Sequence, residues 1–113
     1  MMRNIPVNLA AFRLRVVEPP TMKMRKDDAG REIVVTDRDG AAKFVMSLFA
    51  KVAGEKGEEI RVTLDTDPGE GLEEGDLVEL VDARVNPYSF KNDKDEVISG
   101  IAFSAAGVKP LDR

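Results

Sequence analysis

Residues 75–111 read GDLVELVDARVNPYSFKNDKDEVISGIAFSAAGVKPL, and this stretch decides the fold class. A glycine–aspartate pair opens an apolar run over 77–85, broken by Glu79, Asp82 and Arg84. That pattern suits a strand with a bulge, or one strand shared between two sheet faces. A charged tip follows, Asn92-Asp93-Lys94-Asp95-Glu96, and then a second apolar run over 97–103 in which Gly100 marks a bend or bulge. Two apolar runs around a short polar turn predict a long β-hairpin. Tyr88 and Phe90 are two residues apart, so one face of the hairpin carries both, beside Arg84 and Lys91.

The chain before the hairpin also reads as β. Phe12, Leu14 and Val16 alternate with Arg13 and Arg15, the pattern of a half-buried strand. Pro19-Pro20 is expected to end that strand, because neither residue can donate to a ladder. Met22 and Met24 alternate with Lys23 and Arg25, residues 27–30 make a turn, 33–36 return, and 37–40 turn again. Residues 42–53 fit two patterns: a strand with Phe44, Met46, Leu48, Ala50 and Val52 on one face, or a helix with Phe44, Val45, Leu48, Phe49 and Val52 as its stripe. The β neighbours and the Gly54–Gly57 tip favour the strand. Ile60, Val62 and Leu64 alternate with Arg61 and Thr63 as another strand. Residues 65–75 form a loop with room for one helical turn at 71–74.

The expected fold is therefore all-β, in one domain spanning 1–113, with five to seven strands and long hairpins. Strand spacing alone fits a small barrel or a sandwich. Gly75, Gly100 and Gly107 give places for curvature.

Composition narrows the chemistry. The chain has no Cys and no His, which removes disulfides, thiol nucleophiles, the usual general base and the usual zinc ligands. No phosphate-binding glycine loop or nucleophile elbow occurs, so no enzyme activity and no cofactor is expected. The acidic run at Asp65, Asp67, Glu70, Glu73, Glu74 and Asp76 invites a calcium reading. An EF-hand loop needs glycine at its sixth position, and counting from Asp65 that position is Glu70; no metal is expected there. Nothing in the sequence resembles a signal peptide or a membrane span, so a cytoplasmic location is expected. Net charge is −4, yet it is unevenly spread: residues 1–56 hold 11 Lys+Arg and 7 Asp+Glu, and residues 57–113 hold 6 and 14. The first half thus offers the basic surface.

The hairpin resembles the last two barrel strands of single-stranded DNA-binding proteins of the OB-fold class. The residues that carry the likeness are Glu74-Gly75-Asp76-Leu77-Val78-Glu79-Leu80, then Asn86-Pro87-Tyr88-Ser89-Phe90, then Gly100-Ile101-Ala102-Phe103-Ser104-Ala105. The whole chain also resembles small proteins encoded on actinobacterial plasmids and integrative conjugative elements. The likeness departs in three places: no tryptophan, no long helix before the hairpin, and no acidic tail after Leu111-Asp112-Arg113. It implies a small OB-like barrel, a role in replication, maintenance or transfer of a mobile element, and a dimer or tetramer, with replication or conjugation proteins as further partners.

Two site hypotheses follow. In the first, Tyr88, Phe90 and Phe49 stack bases while Arg13, Arg15, Lys23, Arg25, Lys51, Arg61 and Arg84 hold phosphates of single-stranded DNA. In the second, the same hairpin and basic strands are an oligomerisation or protein-docking surface that touches no DNA. Charged strand residues also guard sheet edges, and Asp93, Asp95 and Glu96 would repel phosphate at the hairpin tip. Any DNA contact is thus expected at Arg84, Tyr88 and Phe90 rather than at the tip.

Overall fold

Alternation of apolar and polar side chains builds one face of the protein's main sheet into a core. In the computed structural model, which describes residues 3–111, that sheet has eight strands and a separate hairpin has two. In chain order they are β1 (Ile5–Pro6), β2 (Arg13–Met22), β3 (Met24–Lys26), β4 (Glu32–Val34), β5 (Phe44–Lys51), β6 (Glu58–Leu64), β7 (Leu77–Val81), β8 (Arg84–Lys91), β9 (Val97–Ala105) and β10 (Gly107–Pro110). The large sheet runs β1-β8-β9-β6-β5-β2-β7-β10, and β3 pairs with β4 apart from it. The sheet is strongly curled, a half-barrel. Leu14 and Val16 of β2, Met46, Leu48 and Ala50 of β5, Ile60, Val62 and Leu64 of β6, Val78 of β7 and Ala105 of β9 fill its inner side. Each large side chain buried there contributes about 1.5–3 kcal/mol.

The C-terminal hairpin organises the curl. Its register is continuous from Val78 opposite Pro110, through Val81 opposite Gly107 and Arg84 opposite Ser104, to Lys91 opposite Val97. Between Val81 and Arg84 both strands turn a corner, where Asp82 takes a left-handed backbone (φ 52°). Aspartate tolerates that conformation better than most residues. One half of the hairpin, β7–β10, lies against β2, and the other, β8–β9, lies against β6. The two ends of the strand order are therefore joined covalently through Asp82-Ala83. Of the two expectations for residues 77–85, a bulge or a strand shared between two sheet faces, the second fits: equal numbers of residues leave the ladder on each side, so this is a corner without an inserted residue.

The ambiguous segment 42–53 resolves as strand over Phe44–Lys51, with Met46, Leu48 and Ala50 inward and Phe49 and Lys51 outward. Four other expectations change. Strands among the described residues number ten rather than five to seven, because the corner splits each long hairpin strand in two, and β1 and the β3–β4 hairpin add short ones. Pro19-Pro20 does not end β2; the β2–β5 register skips Val17 and then Pro19 and Pro20, so no ladder bond is asked of either proline. Residues 71–74 hold no helical turn, and a tight turn closes instead with Asp76 N–H donating to Glu73 O at 3.1 Å. Gly100 lies inside β9 without a bend, for a reason given below. No helix occurs among the described residues, so none is long and apolar enough to cross a membrane.

Candidate nucleic-acid interface

The outward row of the sheet carries most of the candidate residues. The β2–β5 register sets Arg13 opposite Lys51 and Arg15 opposite Phe49, so these four form one patch. Two of its cations are already engaged: Arg15 Nη1 donates to Gly75 O at 2.8 Å, and Lys51 Nζ donates to the carbonyls of Val52 and Glu55, clasping the β5–β6 turn. The Phe49 ring covers Gly57, where a Cβ would collide with ring carbon Cζ. Glu59 stands opposite Phe49 on β6. Arg25 stands apart, exposed on the β3–β4 hairpin.

A second group gathers on the outer side of β6, β9 and β8. These strands leave a groove because β6 and β9 pair in parallel over only three residues, Val62–Leu64 with Phe103–Ala105. One arm of the groove, about 580 Å³, is lined by Lys23, Val45, Arg61, Thr63, Tyr88 and Ile101 among others, with Glu58 and Glu59 as its acids. The other arm holds Lys43, Arg84, Asn86 and Ser104, with Asp37 and Asp65 as its acids, and Lys23 and Thr63 line both arms. Lys23 reaches this place because the 23–43 excursion returns on itself: Lys23 N–H donates to Lys43 O at 2.7 Å, and Val35 N–H donates to Lys23 O at 2.8 Å.

At the mouth of the first arm, Tyr88 and Phe90 stack, with centroids 6.2 Å apart and rings inclined by 27°. They are 43% and 55% exposed, so neither caps the core. Tyr88 lies flat across its cross-strand partner Gly100, where a Cβ would sit 2.7 Å from the phenol oxygen. Glycine is thus placed there to seat a ring, the cross-strand arrangement that compensates a glycine in a strand. Val97, Ile98 and Ile101 are also exposed on the same hairpin.

The cations of the groove differ in how they are balanced. Arg84 Nη2 contacts Asp65 Oδ2 at 2.6 Å, and Lys43 Nζ lies 3.7 Å from the same carboxylate. Lys23 and Arg61 form no ion pair among the described residues. Lys23 Nζ donates to Thr63 Oγ1 at 3.0 Å. Partial burial holds its pKa below the usual lysine value, and the charges of Lys43 and Arg61 push the same way. Two buried polar atoms in the second arm, Arg84 Nε and Ser104 Oγ, have no partner.

The ten sequence candidates thus fall into a groove set (Lys23, Arg61, Arg84, Tyr88, with Phe90 at its mouth), a β2–β5 patch (Arg13, Arg15, Phe49, Lys51) and the separate Arg25. Lys43, Thr63, Asn86 and Ser104 were not singled out. Strand alternation carried the signal for two of them: Lys43 shares the outward parity of Phe49 and Lys51, and Thr63 that of Arg61. A further cleft, lined by Leu9, Phe12, Leu14, Leu80 and Leu111, has Glu79 and Asp82 as its charges and no cation. Among the described residues no group of three or more His, Cys, Asp or Glu could hold a metal ion. The chain matches no protein-family model and no curated protein.

Proposed function

We propose that this chain is a non-catalytic, OB-like protein that binds single-stranded DNA with low sequence preference. The observation that carries the reading is the stacked, exposed Tyr88–Phe90 pair opening onto a groove whose Lys23 and Arg61 have no carboxylate partner among the described residues. Single-strand binding without sequence readout needs those two elements, aromatic faces for bases and cations for the backbone. Fold analogy supports it more weakly. An OB barrel binds oligonucleotides on its second and third strands, between the loop joining the first two strands and the loop joining the last two. In that scheme β5 and β6 are the second and third strands, 23–43 is the first loop and the tip 92–96 is the other; the groove lies among them. A role in replication, maintenance or transfer of a mobile element rests on the sequence resemblance.

Tyr88 is the only tyrosine and the chain has no tryptophan, so intrinsic emission reports on this one ring. Titration with oligo-dT is expected to quench it saturably. Tyr88→Ala with Phe90→Ala is expected to abolish the anisotropy rise of a labelled oligo-dT in a chain that still folds, with the melting temperature lowered by loss of the ring that covers Gly100; Phe90→Ala alone is expected to weaken binding with the melting temperature in place. No anisotropy change up to about 100 µM protein at moderate salt, the weak limit of non-specific binding, would overturn the reading.

A second reading has its own observation. Ile98 is exposed opposite Phe90, and Val97 and Ile101 leave aliphatic surface exposed on the other face of the same hairpin; exposed aliphatic surface of this kind marks protein contacts. On this reading the chain assembles with itself, or with replication or conjugation proteins, through the hairpin. Light scattering on Val97→Lys with Ile101→Lys separates the two: loss of a dimer or tetramer without loss of oligo-dT binding assigns the aliphatic residues to assembly.

A further inference from the structure

We propose that Lys23, Lys43 and Arg61 form a seat for one phosphate group where the two arms of the groove meet. The proposal rests on the single-strand reading above and places one backbone phosphate of the strand within it.

Lys23 and Thr63 line both arms, Arg61 lines one and Lys43 the other, so the three cations converge on the junction. The carboxylate bonded there, Asp65, is shared between Arg84 at 2.6 Å and Lys43 at 3.7 Å. Lys23 and Arg61 are left unneutralised among the described residues. The Thr63 hydroxyl accepts one of the three ammonium protons of Lys23 and fixes the head group, leaving two donors for a ligand. Like charges held this close oppose folding unless an anion joins them. Burial and the charges of Lys43 and Arg61 already destabilise the Lys23 ammonium, which an anion would relieve. In the adjoining arm the buried Arg84 Nε lacks an acceptor and the Ser104 hydroxyl lacks any partner. A tetrahedral phosphate presents several oxygens in different directions, and suits converging donors on three side chains better than a planar carboxylate does.

The test uses the full chain and a labelled oligo-dT, with log affinity plotted against log salt between about 0.1 and 0.4 M NaCl. Each lost phosphate contact lowers the slope by about 0.7 for a single strand. Lys23→Ala and Arg61→Ala are each expected to lower it, and Lys94→Ala at the hairpin tip is not. An oligo-dT with neutral methylphosphonate linkages is expected to bind Lys23→Ala and the parent chain alike. Slopes for Lys23→Ala and Arg61→Ala equal to that of the parent chain would place the phosphates elsewhere, with the single-strand reading intact. If the parent chain binds no oligonucleotide, that reading fails and inorganic phosphate decides the seat. Saturable shifts of the Lys23 and Arg61 side-chain nitrogen signals support a seat for free phosphate, and their absence overturns it.

Discussion

At the scale of single residues, Lys23 shows how a site and a fold make opposing demands. Its ammonium is partly buried, faces Lys43 and Arg61, and is held by a neutral hydroxyl. The folded chain therefore binds this proton less tightly than the unfolded chain, whose lysine keeps a value near 10.5. Stability rises with pH wherever the unfolded state binds more protons. The penalty is accordingly full at neutral pH and fades between the lowered folded value and 10.5. Lys23→Met keeps the stem and removes the charge. It is expected to raise the melting temperature at pH 7 by less than about 4 °C, the size of 1 kcal/mol or less in a domain of this length. The difference from the parent chain is expected to shrink as pH approaches 10, followed by circular dichroism melts across that range. Oligo-dT affinity is expected to fall in the same variant, so stability and binding move in opposite directions. A fall in melting temperature at pH 7 would mean that the bond to Thr63 outweighs the crowding of charge.

At the scale of elements, three turns share one design. Asp27, Asp37 and Asn92 each accept backbone N–H groups two and four residues ahead on a single side-chain oxygen. In all three the residue three positions on takes a left-handed backbone: Gly30, Gly40 and, at the tip of the β8–β9 hairpin, Asp95 with φ 61°. Glycine adopts that conformation at no steric cost, while other residues meet a cost on the order of 1 kcal/mol. Asp95→Gly is thus expected to stabilise the hairpin by up to about 1 kcal/mol, less the chain entropy glycine gives back in the unfolded state. It also removes an acid from the tip, so oligo-dT affinity is expected to rise slightly; a lowered denaturation midpoint would show that the aspartate is better suited to the turn than glycine. The same turns explain what was legible in the sequence. Asp-x-x-Gly between apolar runs marks a turn by local chemistry alone, and period-two alternation in β5 and β6 marks their inward faces. The run through Pro19-Pro20 was misjudged because bulges against β5, a distant partner, remove the ladder bonds that proline cannot make. The break at Asp82 leaves a bulge and a strand shared between two faces equally open, because only the pairing of β7 with β2 and of β9 with β6 requires the hairpin to bend there. Tyr88 and Phe90 could be placed on one face from spacing, but Arg84's commitment to Asp65, and the convergence of Lys23 with Lys43 and Arg61, depend on the fold.

At the scale of the whole molecule, net charge and local charge disagree, and on the proposed single-strand reading ionic strength decides which one a nucleic-acid strand meets. The chain carries −4 in total, with the excess of acid in its second half. The groove nevertheless presents Lys23 and Arg61 without carboxylate partners among the described residues, within a body measuring 46 × 32 × 23 Å. At about 0.01 M salt the screening length is about 30 Å, comparable to the molecule, so an approaching strand meets the net negative charge. At about 0.1 M it is about 10 Å, short enough that the groove cations act alone over the last approach. Added salt therefore does two things in succession. It first screens the repulsion from Glu73, Glu74, Asp93, Asp95 and their neighbours, and then screens the attraction of the groove and reduces the gain from counterion release. A plot of log affinity for oligo-dT against log salt is expected to be nearly flat below about 0.05 M and to steepen above about 0.1 M, where the slope counts phosphates held in the groove. Charge-reversing Glu73→Lys with Glu74→Lys, on the loop before β7 and outside the groove, is expected to restore a steep slope at low salt and leave the high-salt limb unchanged. A parent curve that is already steep at the lowest salt would show that the acidic half faces away from the bound strand at every stage of approach.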